Sequence, residues 1–188
     1  MKMSTKTLVI GAALTAVVIV LQLMGAFIRF GLFQVSLVLA PIVIGAAIGG
    51  VGMGTWLGFV FGMVVLLNGD AASFLAVDVF GTIVTVLLKG ALSGLMAALV
   101  YKAVEKKNKY VAVILAAIVC PIVNTGIFLL GCQVFFMETI KEWAAGGDLV
   151  GFFITGLGII NFPIELIFNI ILSPAILRLL NIKEIKKI

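Results

Sequence analysis

The sequence predicts an all-α, polytopic membrane protein, a bundle of six transmembrane helices forming one domain over residues 1–188. Three observations predict it. Hydrophobic residues are 63% of the chain and charged residues only 11%, with a mean hydropathy of +1.34. A soluble domain of this size has too little interior to hide so much apolar side chain. Several apolar runs reach the ~20 residues that a helix needs to cross hydrocarbon. These runs do not alternate apolar and polar residues, which argues against a closed barrel, the other fold that satisfies its backbone within a membrane.

The first span covers residues 7–28. Its apolar part exceeds the ~7–15 residues of a signal-peptide core, so it reads as a retained helix, and no soluble domain is expected at either end. The second (residues 35–49) and third (residues 55–67) are short, and only "GGVGMG" separates them. The fourth runs over residues 80–102, the fifth over 110–136 and the sixth over 149–180.

Charge orients these spans. Lys2 and Lys6 precede the first span, Lys102, Lys106, Lys107 and Lys109 lie between the fourth and fifth, and Arg178, Lys183, Lys186 and Lys187 close the chain. The opposite loops carry Asp70, Asp78, Glu138, Glu142 and Asp148 against Arg29 and Lys141. Six spans put the basic segments on one side, and the positive-inside rule makes that side, with both termini, cytoplasmic. The net charge of +5 is then a topology signal with some attraction to anionic lipid, not a nucleic-acid footprint.

Other residue types narrow the chemistry. The chain has no histidine, which removes His-based metal sites, His general bases and Ser-His triads. Cys120 and Cys132 share one apolar run without a CxxC pattern and read as small core residues. Gly54, Gly58 and Gly62 recur every four residues, as do Gly90 and Gly94. That spacing lines one helix face with small residues and predicts close helix packing. Ala12 and Ala16 repeat the spacing in the first span.

Lys89 lies nine residues beyond Phe80, about 13 Å along a helix at 1.5 Å per residue. Glu165 lies within the sixth span, and Asn161 and Asn169 share its helix face at steps of four. Asn124 follows Pro121 in the fifth span, with Gln133 further outward. Ionisable groups within a membrane usually face a cavity, a pathway or each other. Two readings follow: an ion pair between Lys89 and Glu165 that locks two helices, or a polar pocket open to the outside for a small hydrophilic molecule. Pro41, Pro121, Pro163 and Pro174 fall within proposed spans, each removing a backbone donor. The outer segments 29–34 ("RFGLFQ") and 68–81 ("NGDAASFLAVDVFG") are either lids over a pocket or interfacial anchors. The candidate substrate-binding residues are Lys89, Asn124, Asn161, Glu165, Gln133, Asn68, Asp78 and Arg29.

Taken with "FQVSLVLAPIVIGAAIGGVGMGTWLGFVFG" (residues 33–62) and "CPIVNTGIFLLG" (residues 120–131), these features resemble the substrate-specific (S) components of energy-coupling factor (ECF) transporters, the prokaryotic vitamin importers. The pair Ala12 and Ala16 is similar to the family's Ala-x-x-x-Ala motif, which docks onto the transmembrane coupling subunit. The resemblance implies a membrane component, not an enzyme and without a cofactor. Such a component captures a water-soluble vitamin from outside under loop lids, then joins a coupling subunit and two ATPases and topples to release its cargo. This chain has no Gly-x-x-x-x-Gly-Lys-Ser/Thr loop, so ATP must be used by partners. Missing histidines disfavour nickel and cobalt, and two Trp with two Tyr offer little stacking for thiamin. A riboflavin-like or pantothenate-like vitamin remains: the Phe-rich loops suit a flavin ring, and Lys89 with Arg29 suits the carboxylate of pantothenate. The competing readings are a stand-alone secondary transporter, disfavoured by the lack of an inverted repeat, and an intramembrane enzyme. No paired acidic motif or Ser-His arrangement supports the enzyme.

Overall fold

The computed structural model describes residues 5–25, 29–30, 33–34, 37–144, 147–153 and 161–181. Its elements are α1 (Thr5–Gly25), β1 (Arg29–Phe30), β2 (Phe33–Gln34), α2 (Leu39–Leu67), α3 (Ala72–Leu75), α4 (Val79–Val104), α5 (Lys109–Phe135), α6 (Met137–Trp143), α7 (Leu149–Gly151) and α8 (Asn161–Leu180). The strands form a two-residue antiparallel ladder, Arg29 opposite Gln34 and Phe30 opposite Phe33. Five helices among the described residues are long and apolar enough to cross a membrane: Thr5–Gly25, Leu39–Leu67, Val79–Val104, Lys109–Phe135 and Phe162–Leu180.

That count differs from six separate spans, and the reason lies in α2. The expected spans 35–49 and 55–67 occur in one element that is broken at Gly50, whose φ of 66° and ψ of −154° are not helical. This conformation is open essentially to glycine alone. The chain reverses there. A Cβ built on Gly54 would lie 3.0 Å from Ala46 Cβ, although eight residues of straight helix span about 12 Å. A Cβ built on Gly45 would likewise touch Leu57, and Gly94 of α4 is approached by both Gly54 and Ile42. Residues 39–49 and 51–67 are thus two antiparallel arms. The expected span 149–180 is also reorganised: α7 is three residues long and α8 begins at Asn161, while residues 154–160 lie outside the described residues.

The glycine stripes set the central contact. Cβ atoms built on Gly54 and Gly62 would lie 2.6 Å from the Gly94 carbonyl oxygen and 2.8 Å from that of Val86, and one on Gly58 would collide with the Gly90 carbonyl. Each step of four along α2 is a step of four back along α4, so the two run antiparallel with their backbones in contact. Gly131 of α5 packs on Thr85 of α4 and Gly81 of α4 on Phe135 of α5, which makes that pair antiparallel too. Helix α1 runs parallel to the second arm of α2: Gly11 meets Met53, the Trp56 Nε1–H donates to Thr15 Oγ1 at 3.2 Å, and Gln22 Nε2–H donates to Asp70 beyond the arm's end at 2.8 Å.

One end of the bundle is therefore basic. It gathers the start of α1, the Gly50 turn, the end of α4 with Lys102, the start of α5 with Lys109 and the end of α8 with Arg178. Lys2, Lys183, Lys186 and Lys187 lie outside the described residues. The other end is aromatic. Phe74 of α3 stacks edge-on against Phe128 (5.8 Å between centroids), Phe136 (4.9 Å) and Trp143 (5.5 Å), and Cys132 and Ile140 are buried in the same cluster. Both cysteines are free and buried, as core residues.

The prolines divide into two kinds. Pro41 and Pro163 are third residues of α2 and α8, where no donor is needed. Only Pro121 and Pro174 interrupt a helix interior, and only there is a carbonyl one turn back left without its usual partner.

Candidate functional site

Three helices carry polar residues into the bundle. On α4, Thr82 and Thr85 are buried and Lys89 follows one turn further in. On α5, Cys120, Asn124, Phe128 and Cys132 form one face at steps of four. On α8, Glu165, Asn169 and Ser173 form another, all buried. Asp78 sets the start of α4 by accepting from the Gly81 N–H at 3.1 Å, an N-cap of the usual kind. That cap fixes how far Lys89 lies from the aromatic end.

Lys89 is the centre. Its Nζ lies 5.7 Å from the Phe61 ring centroid on α2 and 5.2 Å from that of Phe128 on α5. Glu165 and Asp70 are near enough to act on it electrostatically. Placing a lysine at the centre of a bilayer costs about 2.5–3.5 kcal/mol on insertion scales. Two ring faces return roughly 0.5–2 kcal/mol each, so they offset the charge only in part, and Glu165 and Asp70 add a favourable electrostatic influence.

Elsewhere inside the bundle, hydrogen-bonding capacity is left open. Asn124 Oδ1, Asn169 Oδ1, Thr85 Oγ1 and Thr55 Oγ1 are buried without a partner. Asn169 directs its Nδ2–H back to the Glu165 carbonyl at 2.8 Å, which leaves its oxygen open. Native interiors rarely tolerate such atoms, each costing about 1–3 kcal/mol, unless water or a ligand completes them.

The candidate residues separate into groups. Lys89, Asn124 and Glu165 lie on α4, α5 and α8, where α5 packs against both of the others, and Lys89 meets Phe61 and Phe128. Asn161 opens α8 on the same stripe as Glu165, its side chain outside the described residues. Gln133 is exposed near the outer end of α5. Asn68 belongs to the loop after α2, where its Nδ2–H donates to Asp70 at 2.6 Å and its Oδ1 accepts from the Asp70 N–H at 3.0 Å. Arg29 lies in the β1–β2 ladder, and its side chain falls outside the described residues. Ala12 and Ala16 are exposed on α1. The rings of Phe61 and Phe128 went unsingled in the sequence, because an aromatic in an apolar run carries no mark of the cation it will meet. Asn124, one turn before Phe128, was the available signal. Among the described residues, no cluster of three or more His, Cys, Asp or Glu fit to hold a metal is present.

Apolar helices wrapped around a charged, amide-bearing centre define a multi-pass membrane protein with a polar site inside its bundle. The model of one family, the ECF transporter substrate-specific component, matches residues 6–177. The chain belongs to that family and is a substrate-specific component of a transporter. The family is one of transporter components, not of enzymes. No curated protein and no solved structure gives a significant match to the chain.

Proposed function

We propose that the chain is a single-domain capture component that takes a water-soluble vitamin from outside, for ATP-driven uptake with a coupling subunit and two ATPase subunits. The observation that carries this reading is the Lys89 centre, a cation between two ring faces under the electrostatic influence of Glu165 and Asp70, in a bundle that also holds buried amide and hydroxyl oxygens with no partner. Open acceptors call for ligand O–H and N–H donors. Glu165 and Asp70 both bear on Lys89 electrostatically, so an anionic ligand would gain less from the lysine. That favours the neutral, hydroxyl-rich riboflavin-like ligand over the pantothenate-like one. Lys89, Glu165, Asn124 and Asn161 line the floor; Asn68, Asp78, Gln133 and Arg29 lie toward the mouth.

In this proposal the two arms of α2 count as separate crossings, which makes six and leaves both termini on the cytoplasmic side with the basic end. The loop 68–78 closes the outer mouth, held to α1 by the Gln22–Asp70 hydrogen bond and to α6 by Phe74. The exposed Ala12 and Ala16 face the coupling subunit.

Titration calorimetry of the purified chain with riboflavin and with pantothenate tests the ligand. The expected result is riboflavin binding that Lys89→Met weakens by roughly ten-fold or more, about 1.4 kcal/mol, with the fold intact. If Lys89 only braces Glu165, Lys89→Met destabilises the chain and adding Glu165→Gln restores much of the loss. Unchanged affinity in a folded Lys89→Met protein removes the lysine from the site. Labelling of single cysteines placed at Lys107 and Asp148 should report opposite membrane sides, and outside labelling of both would overturn the topology.

A further inference from the structure

A second feature lies at the basic end, away from Lys89. A cleft of about 410 Å³ opens between the start of α5 and the end of α8, lined by Asn108, Lys109, Tyr110, Pro174, Leu177 and Arg178. That volume falls within the ~300–1,000 Å³ of ordinary small-ligand sites. Its two cations come from different helices, so the cleft exists only in the folded bundle. Its chemistry changes with depth: Leu177 is buried apolar wall, while Lys109 and Arg178 are exposed at the rim. Tyr110 is 52% exposed beside them, the position that amphipathic rings take at headgroup level. The Asn108 side chain is already committed, its Oδ1 accepting from the Tyr110 and Val111 N–H groups at 2.9 and 3.2 Å. The charge of the cleft therefore comes from the lysine and the arginine. The adjoining segment 102–108 adds to it, with three lysines against the single acidic residue Glu105.

We propose that this cleft binds the phosphate of an anionic phospholipid headgroup, with Lys109 and Arg178 on the phosphate oxygens, Tyr110 beside the glycerol, and the acyl chains running along the apolar surface of α5 and α8. Three observations commit it to lipid. The cleft lies where two membrane spans end, both walls carry one cation each, and apolar surface continues from Leu177 and Pro174 toward the exposed Ile171 and Ile167 of α8. Basic pockets between spans at this level are the usual seats of phosphate headgroups, and arginine suits them through its planar fork of donors. The inference does not depend on the identity of the vitamin or on Lys89.

Native mass spectrometry of the full chain from nanodiscs of phosphatidylglycerol and phosphatidylcholine tests it. The wild type should retain one phosphatidylglycerol preferentially. The double variant Lys109→Gln/Arg178→Gln should lose that preference, its affinity falling by roughly ten- to thirty-fold at about 1 kcal/mol per basic residue. The double variant Lys106→Gln/Lys107→Gln, equal in charge but outside the cleft, should keep it. Equal loss in both variants would mean diffuse surface charge and overturn the site. Glycerol phosphate that displaces the lipid at matched concentration would show that the acyl chains contribute nothing, and the lipid assignment would fall. It would fall too if Lys109→Gln/Arg178→Gln kept its lipid but no longer joined the coupling subunit, because the cleft would then be a protein contact. Thermal unfolding of each variant separates these results from misfolding.

Discussion

Two stripes of small residues in this chain share one spacing and have opposite surroundings. Gly54, Gly58 and Gly62 of α2 lie backbone to backbone against Gly94, Gly90 and Val86 of α4, with no room for a single added carbon. Ala12 and Ala16 of α1 have the same step of four and lie exposed, flanked by the exposed Leu8, Val9, Val17 and Val20. Spacing tells that a helix face is smooth, and only the fold tells whether the face is already occupied. In a membrane this matters more than in water, because no hydrophobic force drives helices together and close packing supplies much of the association. The occupied stripe holds the bundle. The open one is left for lipid or for another subunit.

The largest expected effect on the isolated chain comes from filling the occupied stripe. Gly58→Val puts three carbons where one already collides with the Gly90 carbonyl, and a backbone cannot move aside as a flexible side chain can. The expected loss is at the top of the overpacking range, about 3 kcal/mol or more, measured as chemical denaturation in detergent. It should extend to ligand binding, since α4 carries Lys89 one residue before Gly90. A Gly58→Val protein of wild-type stability would mean that α2 and α4 are further apart than described.

A smaller loss is expected at the reversal of α2. Gly50→Ala meets no atom within 4 Å, yet a φ of 66° with a ψ of −154° strains any residue with a Cβ. The cost is about 1–3 kcal/mol. Gly52→Ala is the control: it also meets nothing within 4 Å but has no unusual φ, and alanine favours helix by about 1 kcal/mol over glycine. The two changes should move the unfolding midpoint in opposite directions. A common direction would mean that the turn is not centred on Gly50.

This contrast also shows what the sequence reveals and what it hides. Long apolar runs, glycine periodicity and the charge of the loops are local properties, so most of the membrane-spanning helices, the closely packing glycine faces and a shared end for Lys102, Lys109 and Arg178 were legible, while the pairing of the faces and the division of the last span were not. The "GGVGMG" break was legible as a boundary, but its tightness was not, because φ at Gly50 depends on how the arms pack. Lys89 and Glu165 stood out because charge is rare in such runs. Their partners did not: Phe61 and Phe128 are two of 14 phenylalanines, marked only by where α2 and α5 meet α4. The aromatic cluster of Phe74, Phe136 and Trp143 was hidden for the same reason, since it joins a loop helix to a segment far along the chain. Asp78, one of the candidates for substrate, stands at the start of α4 as its cap. An acidic residue before an apolar run serves either purpose, and sequence does not separate them.

The smallest effect on the isolated chain is expected at the open stripe, and there it is the most informative. Ala16→Phe adds a ring to a face that is exposed among the described residues, so stability should change by no more than about 0.5 kcal/mol, as for other surface substitutions. Ligand affinity of the purified chain should stay at the wild-type value, because Ala16 belongs to neither Lys89 nor the loop 68–78. What should change is partnership. If a coupling subunit approaches this face as closely as α4 approaches α2, a phenylalanine there blocks it, and uptake in cells that co-express the subunit and its ATPases should fall by an order of magnitude or more. Ala16→Gly, which keeps the face smooth, should leave uptake intact. Should Ala16→Phe lower ligand affinity as much as uptake, the stripe would belong to internal packing, and the distinction between the two stripes would fail. Should it lower neither, the exposed face of α1 would meet only lipid, and the coupling subunit would have to dock elsewhere on the bundle.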